Sequence, residues 1–294
     1  MRSFKFIIFF ILIFIIGDRL LSSSLISLSK YSSHPYAKVY TERAKSDILI
    51  LGDSRAYHHL NENDWTFASG YKTFSLSMTG SPMLLQEVLL KDYIEKYGNP
   101  KLIVIELSAL ISPLDKIISL KYLGLISDNF KYLMSEYYYK HYMLCKTFNL
   151  FFLNSIDYLN ILHKVFVEYS QPKLSGIITE EELKIVQENK FTPYFKNKKY
   201  NLKSLKRIIE EYADDVKLIF IITPFNKNFL DKQYEKDEWV QQVKVLIPSN
   251  NKLYDFSNSI SNNEYYFDDR HLNDKGVKIL LDIMKKENFF ENLI

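Results

Sequence analysis

The sequence predicts an α/β fold, a three-layer sandwich built on a parallel five-stranded sheet, and three observations predict it. The runs Asp47–Leu51 (DILIL), Leu102–Leu107 (LIVIEL) and Val216–Ile222 (VKLIFII) are apolar at nearly every position, as strands buried on both faces require. Helical patterns lie between them, over Met83–Tyr97, Leu202–Tyr212, Lys232–Leu246 and Lys275–Lys286. That alternation of strand and helix is the pattern of βα units. Thr73–Leu76 and Lys252–Phe256 supply two weaker strands. With the first strand central and every crossover right-handed, the strand order is 2-1-3-4-5.

The N-terminus precedes this pattern. Phe6–Ile16 is an unbroken apolar run, with Arg2 and Lys5 before it. Basic residues ahead of a short apolar stretch keep the N-terminus in the cytoplasm and send the rest outward. Counting Phe4 through Leu21 gives a length that reaches the lower range for a membrane span. A cleaved signal peptide would show a small-x-small site after the run, and only Gly17 and Ser22-Ser23-Ser24 follow. The reading is therefore an uncleaved anchor over residues 1–22, a linker over 23–45 and the α/β domain over 46–294. Between the third and fourth strands, residues 112–200 are helical and aromatic with no clear strand, and read as an insertion.

Composition bounds the function classes. The 294 residues carry 38 Lys+Arg against 35 Asp+Glu, a net charge of +3. That is too weak a balance to imply a nucleic-acid partner. A single cysteine, Cys145, rules out an intramolecular disulfide and a cysteine-rich metal site. No cofactor motif emerges.

In open α/β sheets the ligand site lies at the carboxyl ends of the strands. The first strand ends in Leu51-Gly52-Asp53-Ser54-Arg55. A serine just past a strand, opening a helix, is held up toward the cleft by the turn. Asp53 or Ser54 could equally serve only as a helix cap. The last strand leads to Tyr266-Phe267-Asp268-Asp269-Arg270-His271-Leu272-Asn273, followed by Gly276 and an apolar helix. Three residues apart in one turn, the Asp268 carboxylate can accept from His271 Nδ1–H, leaving Nε2 to take a proton from a serine.

On these residues the sequence resembles the SGNH/GDSL hydrolase superfamily, whose fold is flavodoxin-like. Gly52-Asp53-Ser54 matches its first block and Asp268-x-x-His271 its last. The second block supplies an oxyanion-hole glycine, matched by Gly80 in Ser75-Leu76-Ser77-Met78-Thr79-Gly80. The third block carries an asparagine whose amide is a further oxyanion donor, but here Leu110 stands in its place. The resemblance thus implies Ser54, Asp268 and His271 as catalytic residues and the N–H groups of Ser54 and Gly80 as the oxyanion hole. The anchor, the GDSR start and the YFDDRHLNDKG ending are most similar to the membrane-anchored branch. That branch includes the alginate O-acetylation proteins and the teichoic acid D-alanyl-transfer protein. It implies extracytoplasmic acyl transfer or ester hydrolysis on a cell-surface polymer, chiefly O-acetylation, beside a membrane-bound O-acyltransferase. The alternative is a non-catalytic accessory that docks the acyltransferase.

Three further features stay open at this level. Arg55, next to the serine, could hold a substrate carboxylate or phosphate or face outward on its helix. His58 and His59 could face substrate, or bind a metal with Asp53, or pack as ordinary histidines. Lys196, Lys198, Lys199, Lys203, Lys206 and Arg207 form a basic run, which is most simply a solvated face.

Overall fold

The computed structural model describes residues 2–170, 173–188, 198–227 and 236–293. In chain order the elements used below begin with α1 (Arg2–Ser29), β1 (Ile48–Leu51), α2 (Ser54–His59), α3 (Glu62–Ser69) and β2 (Thr73–Ser75). Next come α4 (Met83–Tyr97), β3 (Leu102–Glu106), α5 (Tyr139–Thr147), α6 (Leu150–Leu153) and α7 (Ile156–Phe166). The chain then continues through α8 (Lys198–Tyr212), β4 (Lys217–Ile222), α9 (Lys236–Leu246), β5 (Lys252–Asp255) and α10 (Asp274–Lys286).

The chain divides into two compact units. One comprises Met1–Ala44, Lys91–Lys96 and Asp115–Ser170, and the other Lys45–Leu90, Tyr97–Leu114 and Gln171–Ile294. The segment expected as one insertion over 112–200 is therefore divided. Its stretch from Asp115 to Ser170 groups with α1, and its other described residues group with the sheet. Residues 23–45, expected as a linker, hold the end of α1 and a short helix, Pro35–Val39.

The sheet has five strands in the order β2-β1-β3-β4-β5, every neighbouring pair parallel. Every residue of β1 and β3 is buried. Because successive side chains of a strand point to opposite faces, both faces of the sheet centre are covered. One face buries Ile48, Ile50, Val104, Ile219 and Ile221 with Ala56, Trp65, Leu280 and Met284. These last four come from α2, α3 and α10, so the helices that follow the first and last strands share one core. β5 lies at the edge and is only half-buried.

The entry to α10 is tightly specified. Asn273 Oδ1 accepts the N–H groups of Lys275 and Gly276, both at 3.1 Å, and so caps the helix. Asn273 Nδ2 donates to the carbonyls of Glu264 (2.8 Å) and Gly176 (3.1 Å). A Cβ on Gly276 would lie 2.2 Å from the Tyr265 carbonyl oxygen, so only glycine lets the helix start here.

In the other unit, α1 exposes its apolar side chains. Only 11% of its most apolar 18-residue window is buried, and the segment Lys5–Ser29 is long and apolar enough to cross a membrane. A core helix of that composition would be mostly covered.

The close approach at Gly276 yields a test. Gly276→Ala should lower stability by roughly 1–3 kcal/mol, the usual cost of overpacking, read as a lower urea midpoint with unchanged slope. An unchanged midpoint would show that the Tyr265 carbonyl yields without cost.

Candidate functional site

The site grows from the carboxyl end of β1. The chain leaves Leu51 through Gly52, where a Cβ would lie 2.4 Å from Ala56 Cβ and 3.0 Å from Glu106 Cβ. No larger residue fits that turn. Asp53 caps α2 by accepting the Arg55 N–H at 2.9 Å, and half-buried Ser54 opens the helix. Gln86 braces the turn. Its Oε1 accepts the Gly52 N–H at 3.2 Å, and its Nε2 donates to the Leu76 carbonyl (3.2 Å) and Ser81 Oγ (2.6 Å). One buried side chain thus ties the serine turn to the loop that follows β2. In that loop lies Gly80, in the left-handed region at φ 72°.

From the last strand comes the second half. Tyr266 and Leu272 form an antiparallel bridge, and the Phe267 N–H donates to the His271 carbonyl at 2.8 Å. The loop between them is therefore a closed turn. Tyr266 anchors it from below, its hydroxyl placed 2.8 Å from the carbonyls of both Phe225 and Ile260. Within the turn, His271 Nδ1 lies 2.8 Å from Asp268 Oδ2 and 3.0 Å from Oδ1. His271 Nε2 lies 2.8 Å from Ser54 Oγ.

Hydrogen-bond accounting assigns the protons. Asp268 Oδ1 also accepts the backbone N–H groups of Arg270 (2.8 Å) and His271 (2.7 Å). Burial pushes the Asp268 carboxyl upward, but the His271 ring and those two N–H groups outweigh it and hold it below the usual carboxylate range. An ionised carboxylate is an acceptor only, so Nδ1 of His271 carries the ring proton. The lone pair of Nε2 then faces the serine hydroxyl. Such an arrangement can take a proton from Ser54 and stabilise the resulting imidazolium.

Beneath these residues lies a buried polar cluster that the sequence does not reveal. Arg55, expected as a residue that could reach substrate, is 2% exposed and turned inward. Its Nη2 donates to Thr223 Oγ1 at 2.9 Å and to the Pro224 carbonyl at 3.0 Å, and it also meets the Thr223 carbonyl. Its guanidinium carbon sits 3.2 Å over the Phe225 ring centre. The open carbonyls at the end of β4 take its Nη2, while its Nε and Nη1 are buried with no hydrogen-bond partner among the described residues.

His59 is fully buried. Its Nε2 accepts the Leu272 N–H at 2.8 Å, so its proton sits on Nδ1, 2.9 Å from Thr223 Oγ1. Burial, reinforced by Arg55, His271 and His58, holds this imidazole well below its ordinary pKa and keeps it neutral. His59 therefore fixes the backbone immediately after His271. Thr223 completes the chain by donating to Glu106 Oε1 at 3.2 Å.

The Ser108 hydroxyl meets both Asp53 Oδ1 and Glu106 Oε2, yet it owns one proton. One carboxyl has to supply the other. Burial raises the pKa of Glu106, with Arg55 opposing and Asp53 adding to the shift, so Glu106 is the proton carrier. Asp53 also accepts from Ser112 Oγ at 2.7 Å.

His58 packs edge-on against His271, ring centres 5.4 Å apart. It also lines a cavity of about 300 Å³ with Asn61, Asp64, Lys173, Leu272 and Lys278. Leu110 is buried at 1% exposure, so an apolar side chain stands where the resemblance calls for an amide. No family model and no curated protein matches the sequence. Of the basic run, Arg207 pairs with Glu87 through Nε–Oε1 at 2.7 Å and Nη2–Oε2 at 2.5 Å. Lys206 pairs with Glu210 at 3.5 Å, and Lys196 lies outside the described residues.

Glu106 gives a pH test. Its folded pKa lies above the ordinary value of about 4.3, so the unfolded chain loses this proton first and stability falls as pH rises past that value. Glu106→Gln keeps a neutral side chain at the position. Its urea-unfolding stability should fall less than that of wild type as pH rises above about 4.3. An identical pH slope in the two proteins would show Glu106 ionised in the fold.

Proposed function

We propose that this chain is an SGNH-type serine acyltransferase working outside the cytoplasm on a cell-surface polymer, with Ser54 as nucleophile, His271 as base and acid, and Asp268 as its orienting carboxylate. One observation carries the reading: Ser54 Oγ, His271 Nε2, His271 Nδ1 and Asp268 Oδ2 form a continuous line with 2.8 Å at each hydrogen bond.

In the first half-reaction, Ser54 Oγ attacks the carbonyl carbon of an acyl ester or thioester while its proton passes to His271 Nε2. Negative charge gathers on the former carbonyl oxygen, where the N–H groups of Ser54 and Gly80 serve as donors. His271 returns the proton to the leaving oxygen or sulfur as the carbon–heteroatom bond breaks, leaving acyl-Ser54. In the second half, His271 takes a proton from an acceptor hydroxyl, which attacks the acyl-serine and releases Ser54. A sugar hydroxyl as acceptor makes the protein a transferase, and water makes it an esterase. The bracing of the Gly52 and Leu76 backbone by Gln86 supports a preorganised pair of donors, the arrangement that acyl transfer needs.

The choice of a polymer acceptor and of an acyl group such as acetyl follows from the resemblance together with the apolar N-terminal helix. The same two features support a cell-membrane location with the site outside, and a membrane-bound O-acyltransferase as acyl donor. Leu110 in the amide position favours a second reading, a non-catalytic accessory that docks the acyltransferase. Losing one oxyanion donor typically costs ~10²–10³ in rate, which an accessory would tolerate.

Turnover of an activated acetyl ester by the detergent-solubilised full chain separates the readings. Ser54→Ala should lose on the order of 10⁴–10⁶ in turnover, because residues of such a triad act as a unit, with the unfolding midpoint retained. Wild-type turnover in a folded Ser54→Ala protein would overturn the nucleophile assignment, and no turnover by the unmodified chain would favour the accessory reading.

A further inference from the structure

The α1 unit holds two charges where a spanning helix should have none. At 1.5 Å per residue, the apolar run Phe6–Ile16 covers about 16 Å, roughly half of a ~30 Å hydrocarbon layer. A helix that enters the layer at Lys5 reaches Asp18 after about 20 Å. Asp18 and Arg19 then lie some 10 Å short of the outer boundary, among the lipid chains, where an ionised group needs a partner.

Both have partners, and from one place. Asp18, 4% exposed, accepts the Asn149 N–H at 2.8 Å on one oxygen and the Leu150 N–H at 2.9 Å on the other. Arg19 Nη2 donates to the carbonyls of Thr147 (3.1 Å) and Lys146 (3.4 Å), and its Nη1 meets Asn149 Oδ1. The corner between α5 and α6 thus sits at the same level along α1 as these two charges. One turn deeper, the rings of Phe14 and Phe148 meet edge to face with centres 5.6 Å apart.

The helices meeting at that corner leave large apolar side chains uncovered. Leu144 on α5, Phe151 on α6, and Ile156, Leu159 and Phe166 on α7 are 42–77% exposed. On an ordinary soluble surface such residues occur singly, and a concentration of them marks an interaction site. Lys140 and Lys146 are exposed on α5, with stems long enough to lift their ammonium groups toward lipid phosphates.

We propose that the α5–α7 face of this unit lies in the outer leaflet of the membrane, with the α5–α6 corner inserted beside α1 and lipid as its occupant. This rests on α1 being a membrane span and is independent of any chemistry at Ser54. The corner lets Asp18 and Arg19 lie below the membrane surface by giving them backbone partners there. The exposed apolar side chains of α5–α7 replace water with lipid chains.

The test places an environment-sensitive nitrobenzoxadiazole label on single cysteines of the full chain in a Cys145→Ala background. The chain is reconstituted into phosphatidylcholine–phosphatidylglycerol vesicles. Labels at Phe151→Cys and at Phe9→Cys should both lose most of their fluorescence to acyl-chain spin-labelled lipid and resist iodide. Leu159→Cys, on an already exposed residue, provides the same reading should Phe151→Cys fail to fold. A label shielded at position 9 but open to iodide at 151 and 159 would overturn lipid docking while leaving the span intact. Labels open to iodide at all three positions would overturn the span and the docking together, leaving the Ser54 reading untouched.

Discussion

A parallel sheet buried on both faces fixes where this chain can do chemistry. Its five strands are parallel and end at one edge, so the segment after β5 can reach back past β4 and β3 to the turn after β1, where Ser54 and His271 meet although 217 residues apart. Everything at the site depends on that edge being held still. Gln86 clamps the turns after β1 and β2, Tyr266 pins the histidine loop to the backbone at Phe225 and Ile260, and His59 holds the N–H of Leu272. Each is a fully buried side chain binding backbone that belongs to another element.

The floor of the site carries an electrostatic constraint. An arginine in a protein interior is costly unless its charge is answered, and Arg55 is answered by the β4 carbonyls, the Phe225 face and the nearby carboxyls of Glu106 and Asp53. Ser108 bridges those two carboxyls with one proton of its own, and burial raises the pKa of Glu106 toward its neutral form. The same burial keeps His59 uncharged, so it can accept from Leu272 while donating to Thr223. The cluster is thus a buried polar support under a serine and a histidine that are themselves only partly buried.

Much of this organisation was legible in the sequence. Unbroken apolar runs located the strands to within a residue or two, and helical periodicity matched α4 over Met83–Tyr97 residue for residue. The strand order followed from connection rules, and the spacing of Asp268 and His271 carried their mutual contact. What could not be read was long-range. Arg55 looks available beside Ser54 in the chain, but its partners at Thr223 and Pro224 lie 168 and 169 residues away. His59 and Gln86 carry no local signal, because their role appears only when the strand ends are brought together. The first helix runs on to Ser29, beyond the Leu21 to which the apolar count extends, and the partners of Asp18 and Arg19 at residues 146–150 carry no local signal.

The account stands on Ser54 being the atom that accepts the acyl group. Brief exposure of the full chain to an activated acetyl ester, acid quenching and peptide mass mapping tests this most directly. The account predicts an added acetyl group confined to the peptide carrying Ser54, absent from Ser54→Ala and accumulating more slowly in His271→Ala. Acetylation spread over lysines with Ser54 unmodified, from a protein that still turns the ester over, would contradict it.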